Sequence, residues 1–349
     1  MNLPFVLRQP GVMAALCAAL LFGAGTPLAK QLLGGVDPWM LAGLLYLGSG
    51  LGLGAWRWLS RAAPVKLPPD QWRWLAGAIL AGGVAGPVLL MFGLVRMPAS
   101  GASLLLNAEG VFTALLAWFA FRENFDRRVA LGMLAIVAGA VVLSWPSGAR
   151  FGDAWPALAV LGACLAWAID NNLTRKVALN DATWIAAVKG LSAGTVNLLL
   201  AFSVGSALTS GSALVGGLVL GLAAYGISLA LFVVGLRHLG TARTGAYFSV
   251  APFFGALLAV IGWGEPVTPV LLVAGALMAL GVWLHLTERH GHEHAHEPLD
   301  HDHEHEHDAH HQHAHADGAG AVRHAHRHRH DPLTHTHPHF PDEHHRHSH

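Results

Sequence analysis

The side chain with the clearest chemical potential is a carboxylate inside an apolar stretch of the chain. Glu109 lies near the middle of a run, at about 99–121, that has the length and composition of a membrane-crossing helix. An ionised carboxylate is costly in a bilayer, so such a group is normally functional or paired with a cation. The chemistry open to Glu109 is the uptake and release of a proton, which would suit an antiporter.

Polar residues occupy two faces of this run. Along a helix, Thr113 shares the face of Glu109, whereas Asn107 points about 200° away and Ser103 lies on the side of Asn107. Both faces cannot line one cavity, and we favour that of Glu109 and Thr113. The alternative role for Glu109 is a pair with a base such as Lys189, inside the seventh apolar run.

Two polar residues near the cytosolic end of the sixth apolar run could also contact a substrate. Asp170 and Asn171 stand about one turn inside the interface. Asp170 is either a substrate gate or the partner of Arg175 and Lys176 at the water boundary. Both interpretations remain open.

The chain carries an internal repeat. A shift of 142 positions places residues 93–123 on residues 235–265, with an ordered apolar block that ends in one acidic residue in each copy. In a membrane chain, such a repeat is typical of a transporter built from two halves.

The two copies are chemically unequal around the buried acid. Ala251 stands in the place of Glu109, and the surrounding window offers Tyr247, Ser249 and Pro252. We therefore expect Tyr247 and Ser249 to provide the polar wall of the second half.

The elements that position these residues are apolar helices. With 53% hydrophobic and only 12% charged residues, and repeated runs of roughly 20 apolar residues, the first 289 residues indicate a polytopic helical membrane protein and exclude a soluble core. We predict ten spans, at about 12–33, 37–57, 73–95, 99–121, 128–145, 154–173, 182–205, 213–236, 241–263 and 268–287. Five spans per half is an odd number, so the two halves would enter the membrane in opposite directions.

The distribution of basic residues predicts the orientation. With the N-terminus in the cytosol, 13 Lys and Arg lie on the inner side and three, Lys30, Arg96 and Arg150, on the outer side. The positive-inside rule therefore places both termini in the cytosol.

Proline and glycine indicate where helices bend or meet. Gly86 and Pro87 predict a kink in the third span, because proline removes a helix hydrogen bond and crowds the preceding turn. Pro27 and Pro252 predict the same in the first and ninth spans. Close contacts between backbones are expected at Gly48, Gly50, Gly52, Gly54, Gly217 and Gly221.

Several residues recur at matching places in both halves. Gly23, followed seven residues later by Lys30, is echoed by Ala168 and Arg175, and Glu123 is echoed by Glu265. The fourth span of the first half also carries an acid and a helix breaker. In these residues the chain resembles the EamA-like family of the drug/metabolite transporter superfamily, over about 12–287, although Phe22 stands where that family usually has Trp. The resemblance implies export or exchange of small, often amino-acid-like metabolites through a cavity between the third, fourth, eighth and ninth spans.

The last 60 residues form a different polymer. Residues 290–349 hold 23 His, 11 Asp and Glu, four Arg and almost no apolar side chains, so we expect a disordered tail. His recurs at alternate positions, which share one face of an extended segment and can bind Zn, Ni, Co or Cu. The expected ligands are His290, His292, His294, His296, His301, His303, His305, His307, His310, His311, His313, His315, His324, His326, His328 and His330.

These observations favour one function over two others. We predict repeats at 1–147 and 148–289 that together form a cytoplasmic-membrane secondary transporter of a small amino-acid-like or drug-like metabolite, with 290–349 as a cytosolic metal buffer. A Ni, Co or Zn exporter fed by the tail, and a metal-binding scaffold that transports nothing, remain alternatives. Expected partners are the lipid bilayer, a small-molecule substrate and metal ions, but no nucleic acid.

We expect neither a cofactor in the membrane body nor an enzyme. Two tail segments, 292–296 and 303–307, match the His-Glu-x-x-His protease pattern. That chemistry requires a packed helix and an ordered third ligand, which a polar, His-rich segment does not predict.

Overall fold

The chain divides into two units that differ in secondary structure. The computed structural model describes residues 10–121, 127–144, 154–177, 180–286, 291–296, 300–305, 324–329 and 333–338. The first unit, Met1–Glu288, is helical throughout its described part, and the strands belong to the second unit, Arg289–His349. The predicted boundary between residues 147 and 148, and Glu123, lie outside the described residues.

The first unit consists of thirteen described α-helices joined by short turns, with two π-helical segments and one 3₁₀ turn. The α-helices are α1 Pro10–Leu32, α2 Pro38–Leu59, α3 Trp72–Ala78, α4 Gly86–Arg96, α5 Ala99–Leu105, α6 Ala108–Phe121, α7 Arg127–Ser144, α8 Trp155–Thr174, α9 Ala182–Ser203, α10 Gly211–Leu220, α11 Ser228–Phe248, α12 Ala251–Trp263 and α13 Pro269–Leu286. The first π-helix is Ile79–Ala85, the second is Gly221–Ile227, and the 3₁₀ turn is Arg175–Val177.

The helices confirm a multi-pass membrane protein. Within the described ranges, six helical segments are long and apolar enough to cross a bilayer: Pro10–Leu32, Pro38–Leu59, Trp72–Arg96, Trp155–Val177, Ala182–Ser203 and Gly211–Leu236. Shorter apolar helices occupy the predicted fifth, ninth and tenth spans, and two helices divide the fourth. The count of ten spans therefore remains a prediction.

Helix packing follows the internal repeat. α2 packs along α9 and α7 along α13, so that corresponding helices of the two halves meet each other. α1 packs against α11 and α12, and its counterpart α8 packs against α4 and α6. These contacts of one predicted half thus have counterparts in the other.

Glycines permit the closest of these contacts, as predicted. A Cβ atom placed on Gly48 would lie 2.1 Å from the carbonyl oxygen of Leu218, and one on Gly221 would lie 2.0 Å from that of Leu45. Gly50 is similarly close to the backbone of α9. Gly52 and Gly217 meet leucine side chains rather than backbone, and Gly54 has nothing within 4 Å, so the prediction of close backbone contact is wrong at these three glycines.

A π-helix interrupts the third and eighth spans at corresponding places. Every residue of Gly221–Ile227 lies 142 positions after its counterpart in Ile79–Ala85, which is the repeat spacing. At the end of the first π-helix, the backbone N–H of Gly86 donates a hydrogen bond to the carbonyl oxygen of Ala81. At the end of the second, the N–H of Ser228 donates to the carbonyl oxygen of Ala223. Proline does not account for both interruptions, because Leu229 stands where the first half has Pro87.

The fourth span is broken, contrary to the prediction of one continuous helix. Leu106 and Asn107 form a turn between α5 and α6, and the side-chain amide of Asn107 donates to the Leu104 carbonyl oxygen at 3.0 Å. That bond competes with the backbone hydrogen bonds of the helix, because the Leu104 carbonyl oxygen would otherwise accept only from backbone N–H groups. Ser249 and Val250 form the corresponding turn between α11 and α12.

The three proline predictions have different outcomes. Pro252 is the second residue of α12, directly after a break, and Pro87 is the second residue of α4, directly after a π-helix. α1 continues through Pro27 without interruption, so no break occurs there. The Gly23 carbonyl, four residues before Pro27, instead meets α12 at Gly255, whose added Cβ would lie 2.6 Å away.

The predicted boundary between the eighth and ninth spans, at residues 236–241, lies within α11. α11 runs through the predicted loop, yet a Cβ on Gly235 would be 2.9 Å from Thr244 Cγ2. Nine residues of straight helix would separate them by about 13.5 Å. The chain therefore folds back between Gly235 and Thr244, where the boundary was expected.

The second unit contains four short strands in two antiparallel pairs. β1 Gly291–His296 pairs with β4 Leu333–Pro338, and β2 Asp300–His305 pairs with β3 His324–Arg329. The expectation of a tail without regular structure is not supported over these segments, because pairing satisfies backbone groups without an apolar core. His290, His307, His310, His311, His313, His315 and His330 lie outside the described residues.

Candidate functional site

A small cavity lies where helices from both predicted halves meet. Its volume is about 60 Å³, far below the roughly 300–1,000 Å³ of a pocket that encloses a small-molecule ligand. α1, α2, α6, α8, α11 and the second π-helix contribute lining residues. Of the four spans expected to line the cavity, the fourth, eighth and ninth contribute residues and the third does not. The first, second and sixth spans also line it.

Aromatic residues make up half of the residues that line the cavity. They are Phe22, Tyr46, Trp167, Tyr225, Phe232 and Phe248. The centroid of the Phe22 ring lies 5.6 Å from that of Trp167, 5.8 Å from that of Tyr225 and 5.3 Å from that of Phe248. These distances match the favourable arrangements of aromatic pairs, so the rings stabilise one another as a group.

Glu109 faces this cavity from the first turn of α6. Its Oε1 atom accepts a hydrogen bond of 2.8 Å from Nδ2 of Asn171 on α8. The other carboxylate oxygen has no hydrogen-bond partner within the described part of the chain. The structure thus brings together two residues that the sequence singled out separately.

Asp170 and Lys189 form a buried ion pair beside the cavity. Lys189 Nζ lies 2.5 Å from Asp170 Oδ1, and its side chain is only 1% exposed. The hydroxyl of Thr174 donates to the same oxygen at 2.7 Å and accepts from Lys189 at 3.0 Å. Lys189 therefore pairs with Asp170 rather than with Glu109, and the alternative of a Glu109–Lys189 pair is wrong for this conformation.

The first π-helix supports the aromatic wall. In a π-helix, the carbonyl oxygen of Gly82 would accept from the backbone N–H of residue 87. That residue is Pro87, which has no N–H, so the Gly82 carbonyl oxygen has no backbone donor at that position. It accepts hydrogen bonds from the Tyr46 hydroxyl at 2.6 Å and from Trp167 Nε1 at 2.9 Å. The Gly83 carbonyl accepts from Asn197 Nδ2 at 2.9 Å.

The other predicted site residues lie away from the cavity. Thr113 stands on the α8 side of α6, where its carbonyl oxygen accepts from Asn172 at 3.4 Å. Asn107 contacts Met278 of α13, and Ser103 lies against Gly255 of α12. The helix break explains part of this result, because it separates Asn107 from the helix that carries Glu109.

The second-half predictions were one residue away from the wall. Tyr247 packs near Val12 and Leu239, and Ser249 lies in the turn before α12, whereas Phe248 between them lines the cavity. Sequence reasoning missed the aromatic wall, because aromatic residues in an apolar chain are as consistent with lipid contact as with a pocket. The mid-span positions of Tyr46 and Tyr225 were a usable signal, since a buried phenol normally needs a partner.

Two charged side chains hold helix ends at the side predicted to be outer. Lys30 Nζ donates to the carbonyl oxygens of Leu94 and Val95, at the end of α4. The two carboxylate oxygens of Glu265 accept from the backbone N–H groups of Ala99 and Ser100, at 2.8 and 2.9 Å. Both contacts place a charge where the helix dipole favours it.

An ion pair joins α2 and α9 at the opposite ends. Arg57 lies 2.7 Å from Asp181, the N-cap residue of α9. Partial burial would raise the pKa of Asp181, but hydrogen bonds from Thr183, the Trp184 amide and Arg57 outweigh it and lower this pKa to about 2. The carboxylate is therefore charged throughout the physiological range.

Within the described ranges, no group of three or more His, Cys, Asp or Glu side chains is arranged to hold a metal ion. Metal binding by the tail stays a prediction.

The fold defines a multi-pass helical membrane protein with a small cavity between its helices. The sequence model of the EamA-like transporter family matches twice, at residues 9–145 and 154–287. The chain belongs to this family.

Similar proteins include an uncharacterised transporter of Methanothermobacter thermautotrophicus, 26% identical over 80% of this chain and 87% of that protein. A probable terminal-alkyne amino-acid exporter of Streptantibioticus cattleyicolor is 31% identical over 60% of this chain and 71% of its own length. The uncharacterised inner membrane transporter YedA of Escherichia coli is 26% identical over 72% and 85%. A crystal structure with a TM-score of 0.63 and 21% identity covers 80% of this chain and 99% of its own, and shares the fold.

Proposed function

We propose that this chain is a secondary transporter of the cytoplasmic membrane that exports or exchanges a small organic metabolite. The observation that carries the proposal is Glu109, a carboxylate that lines a cavity between helices of both halves and has a neutral amide as its partner. A buried carboxylate of this kind binds a proton or a cationic substrate in turn, which couples the two fluxes.

The proposed mechanism is alternating access by two inverted five-helix repeats, with both termini in the cytosol. The two family matches, the reciprocal helix contacts and the equivalent π-helices support it. In this conformation the cavity is too small for a metabolite, so the repeats must separate on one side to admit cargo. The similarity to a probable amino-acid exporter supports an amine-bearing cargo.

Flux through proteoliposomes tests the role of Glu109. We expect an imposed pH gradient to drive metabolite uptake into vesicles that contain the wild-type protein, and Glu109→Gln to remove that dependence. Glu265→Gln is the matched control, because it neutralises a carboxylate that caps α5 rather than one in the cavity. Normal gradient-driven flux in Glu109→Gln would refute the coupling.

We also propose that the tail binds divalent transition metals without taking part in transport. The strand registers support this, since they place His292 opposite His337, His294 opposite His335 and His303 opposite His326. Removal of residues 290–349 should abolish zinc binding in calorimetry and leave metabolite flux unchanged. Loss of zinc flux together with zinc binding would instead support the metal exporter.

A further inference from the structure

The charges around the cavity sum to one negative unit when Glu109 is ionised. Asp170 and Lys189 neutralise each other within 2.5 Å, and Thr174 bonds to both. Among the described residues, the hydrogen-bond partner of the Glu109 carboxylate is the neutral amide of Asn171. No cation faces Glu109 in the described part of the wall, so a ligand that neutralises the site must itself be positive.

Four hydrogen-bond donors of the wall are turned towards protein oxygens. The hydroxyl of Tyr46 and Nε1 of Trp167 both donate to Gly82, and the hydroxyl of Ser228 donates to Ala18 at 2.9 Å. Asn171 donates to Glu109. These four donors are therefore less available to a carboxylate or phosphate on the ligand than the hydroxyl of Tyr225, which also lines the cavity.

The aromatic rings of the wall can bind a cation through their π faces. With their polar edges engaged at Gly82, Tyr46 and Trp167 are left with their π faces, and Phe22 lies within 6 Å of the rings of Trp167, Tyr225 and Phe248. Aromatic faces attract an ammonium group, most strongly when water is excluded.

We propose that the cargo of this cavity is an organic cation, an amine without a compensating carboxylate, held by Glu109 and the aromatic wall. This inference rests on the proposed transport function and names its substrate class. A zwitterionic amino acid fits less well, because its carboxylate would have to compete with Asp170 for Lys189 or remain without a cation in a buried site. The amine neutralises Glu109 and leaves the Asp170–Lys189 pair intact.

Phenethylammonium and L-phenylalanine provide a matched pair of probes, since they share a ring and an amine and differ by the carboxylate. Calorimetry on the full chain in lipid nanodiscs should show phenethylammonium binding about tenfold or more tightly than L-phenylalanine. Glu109→Gln should weaken phenethylammonium by on the order of tenfold or more, because the charge-assisted contact is lost. Glu265→Gln should bind like the wild type.

A second variant keeps the test valid if Glu109→Gln does not fold. Phe22→Leu preserves an apolar side chain of similar reach but removes the π face, and should weaken phenethylammonium roughly three- to tenfold. The loss of ring contacts will lower the melting temperature, so binding is measured well below the melting temperature of the variant, where its affinity for the cation must still fall. An unchanged affinity would show that the rings only pack.

The outcomes separate this inference from the transport function. If L-phenylalanine binds as tightly as phenethylammonium and depends equally on Glu109, the cation assignment is overturned while transport stands. If neither probe binds to folded protein, the assignment is also overturned. If phenethylammonium binds through Glu109 but proteoliposomes move no metabolite, the site assignment holds and the transport function fails.

Discussion

At the scale of single residues, the buried pair of Asp170 and Lys189 governs the stability of the interior. Lys189→Met would leave the Asp170 carboxylate buried without its cation, which costs about 3–5 kcal/mol. We expect a clear fall in the melting temperature of the purified protein. The double variant Asp170→Asn with Lys189→Met should recover most of that loss, because it leaves no isolated charge.

The Arg57–Asp181 pair is the matched control. Asp181 is 41% exposed, and Asp181→Asn keeps an oxygen that can accept from the Trp184 amide. Arg57 is only 11% exposed, but it also donates to Thr183 and to the Ala63 carbonyl oxygen, so this change should lower the melting temperature less than Lys189→Met does. If Lys189→Met were as mild as Asp181→Asn, the buried pair would have no special role in stability.

The absence of a side chain at Gly82 leaves room for the Asp170 carboxylate of the same pair. A Cβ atom there would lie 1.9 Å from Oδ2 of Asp170, so Gly82→Ala must displace that carboxylate. We expect Gly82→Ala to lower both melting temperature and metabolite flux. Gly54→Ala is the control, because Gly54 has open space around it and alanine favours helix by roughly 0.5–1 kcal/mol. Equal behaviour of the two variants would contradict the packing argument.

At the scale of elements, the first π-helix anchors two aromatic residues of the cavity wall through the Gly82 carbonyl oxygen. Pro87→Ala supplies an N–H that can bond to Gly82, in competition with Tyr46 and Trp167. The variant should keep its melting temperature, or raise it, while flux in proteoliposomes falls several-fold because the aromatic wall loses its anchor. Unchanged flux would show that the free carbonyl has no part in transport.

Pro269→Ala is the matched control for Pro87→Ala. Pro269 is the first residue of α13, where a missing N–H has no intrahelical partner to lose. Its replacement should leave both flux and melting temperature close to those of the wild type.

The elements also show which features the sequence could predict. Long apolar runs define α1, α2, α8 and α9, since length and hydropathy suffice for a helix that crosses a bilayer. The π-helices were not predictable in the same way: Gly86 and Pro87 indicated the first, but no proline marks the second at Gly221–Ile227. The break at Asn107 depends on one side-chain hydrogen bond, which periodicity does not encode.

The candidate site depended on contacts between distant parts of the chain. Glu109 could be found from one sequence, because a carboxylate in an apolar run is unusual by itself. Its partner Asn171 is 62 residues away, and the partner of Asp170 is a lysine on another helix. Which base pairs with which acid is decided by helix packing, and composition does not determine it.

At the scale of the whole molecule, the inverted arrangement of the halves is tested by the sides on which two equivalent loops lie. One loop follows α2 and the other follows α9, and Ala62 and Ala207 are exposed residues within them. If the halves are inverted, with the N-terminus in the cytosol, Ala207→Cys should react with a membrane-impermeant maleimide in intact cells. Ala62→Cys should react only after the cells are permeabilised.

The unmodified chain is the control for this labelling, because it measures any reaction of Cys17, which is exposed on α1, and of Cys164, which is buried in α8. Reaction of both introduced cysteines from outside would place the two loops on the same side of the membrane. The halves would then be parallel, and no exchange of equivalent conformations between them could expose the cavity alternately to the two compartments. Alternating access by inverted repeats therefore requires opposite accessibility of Ala62→Cys and Ala207→Cys.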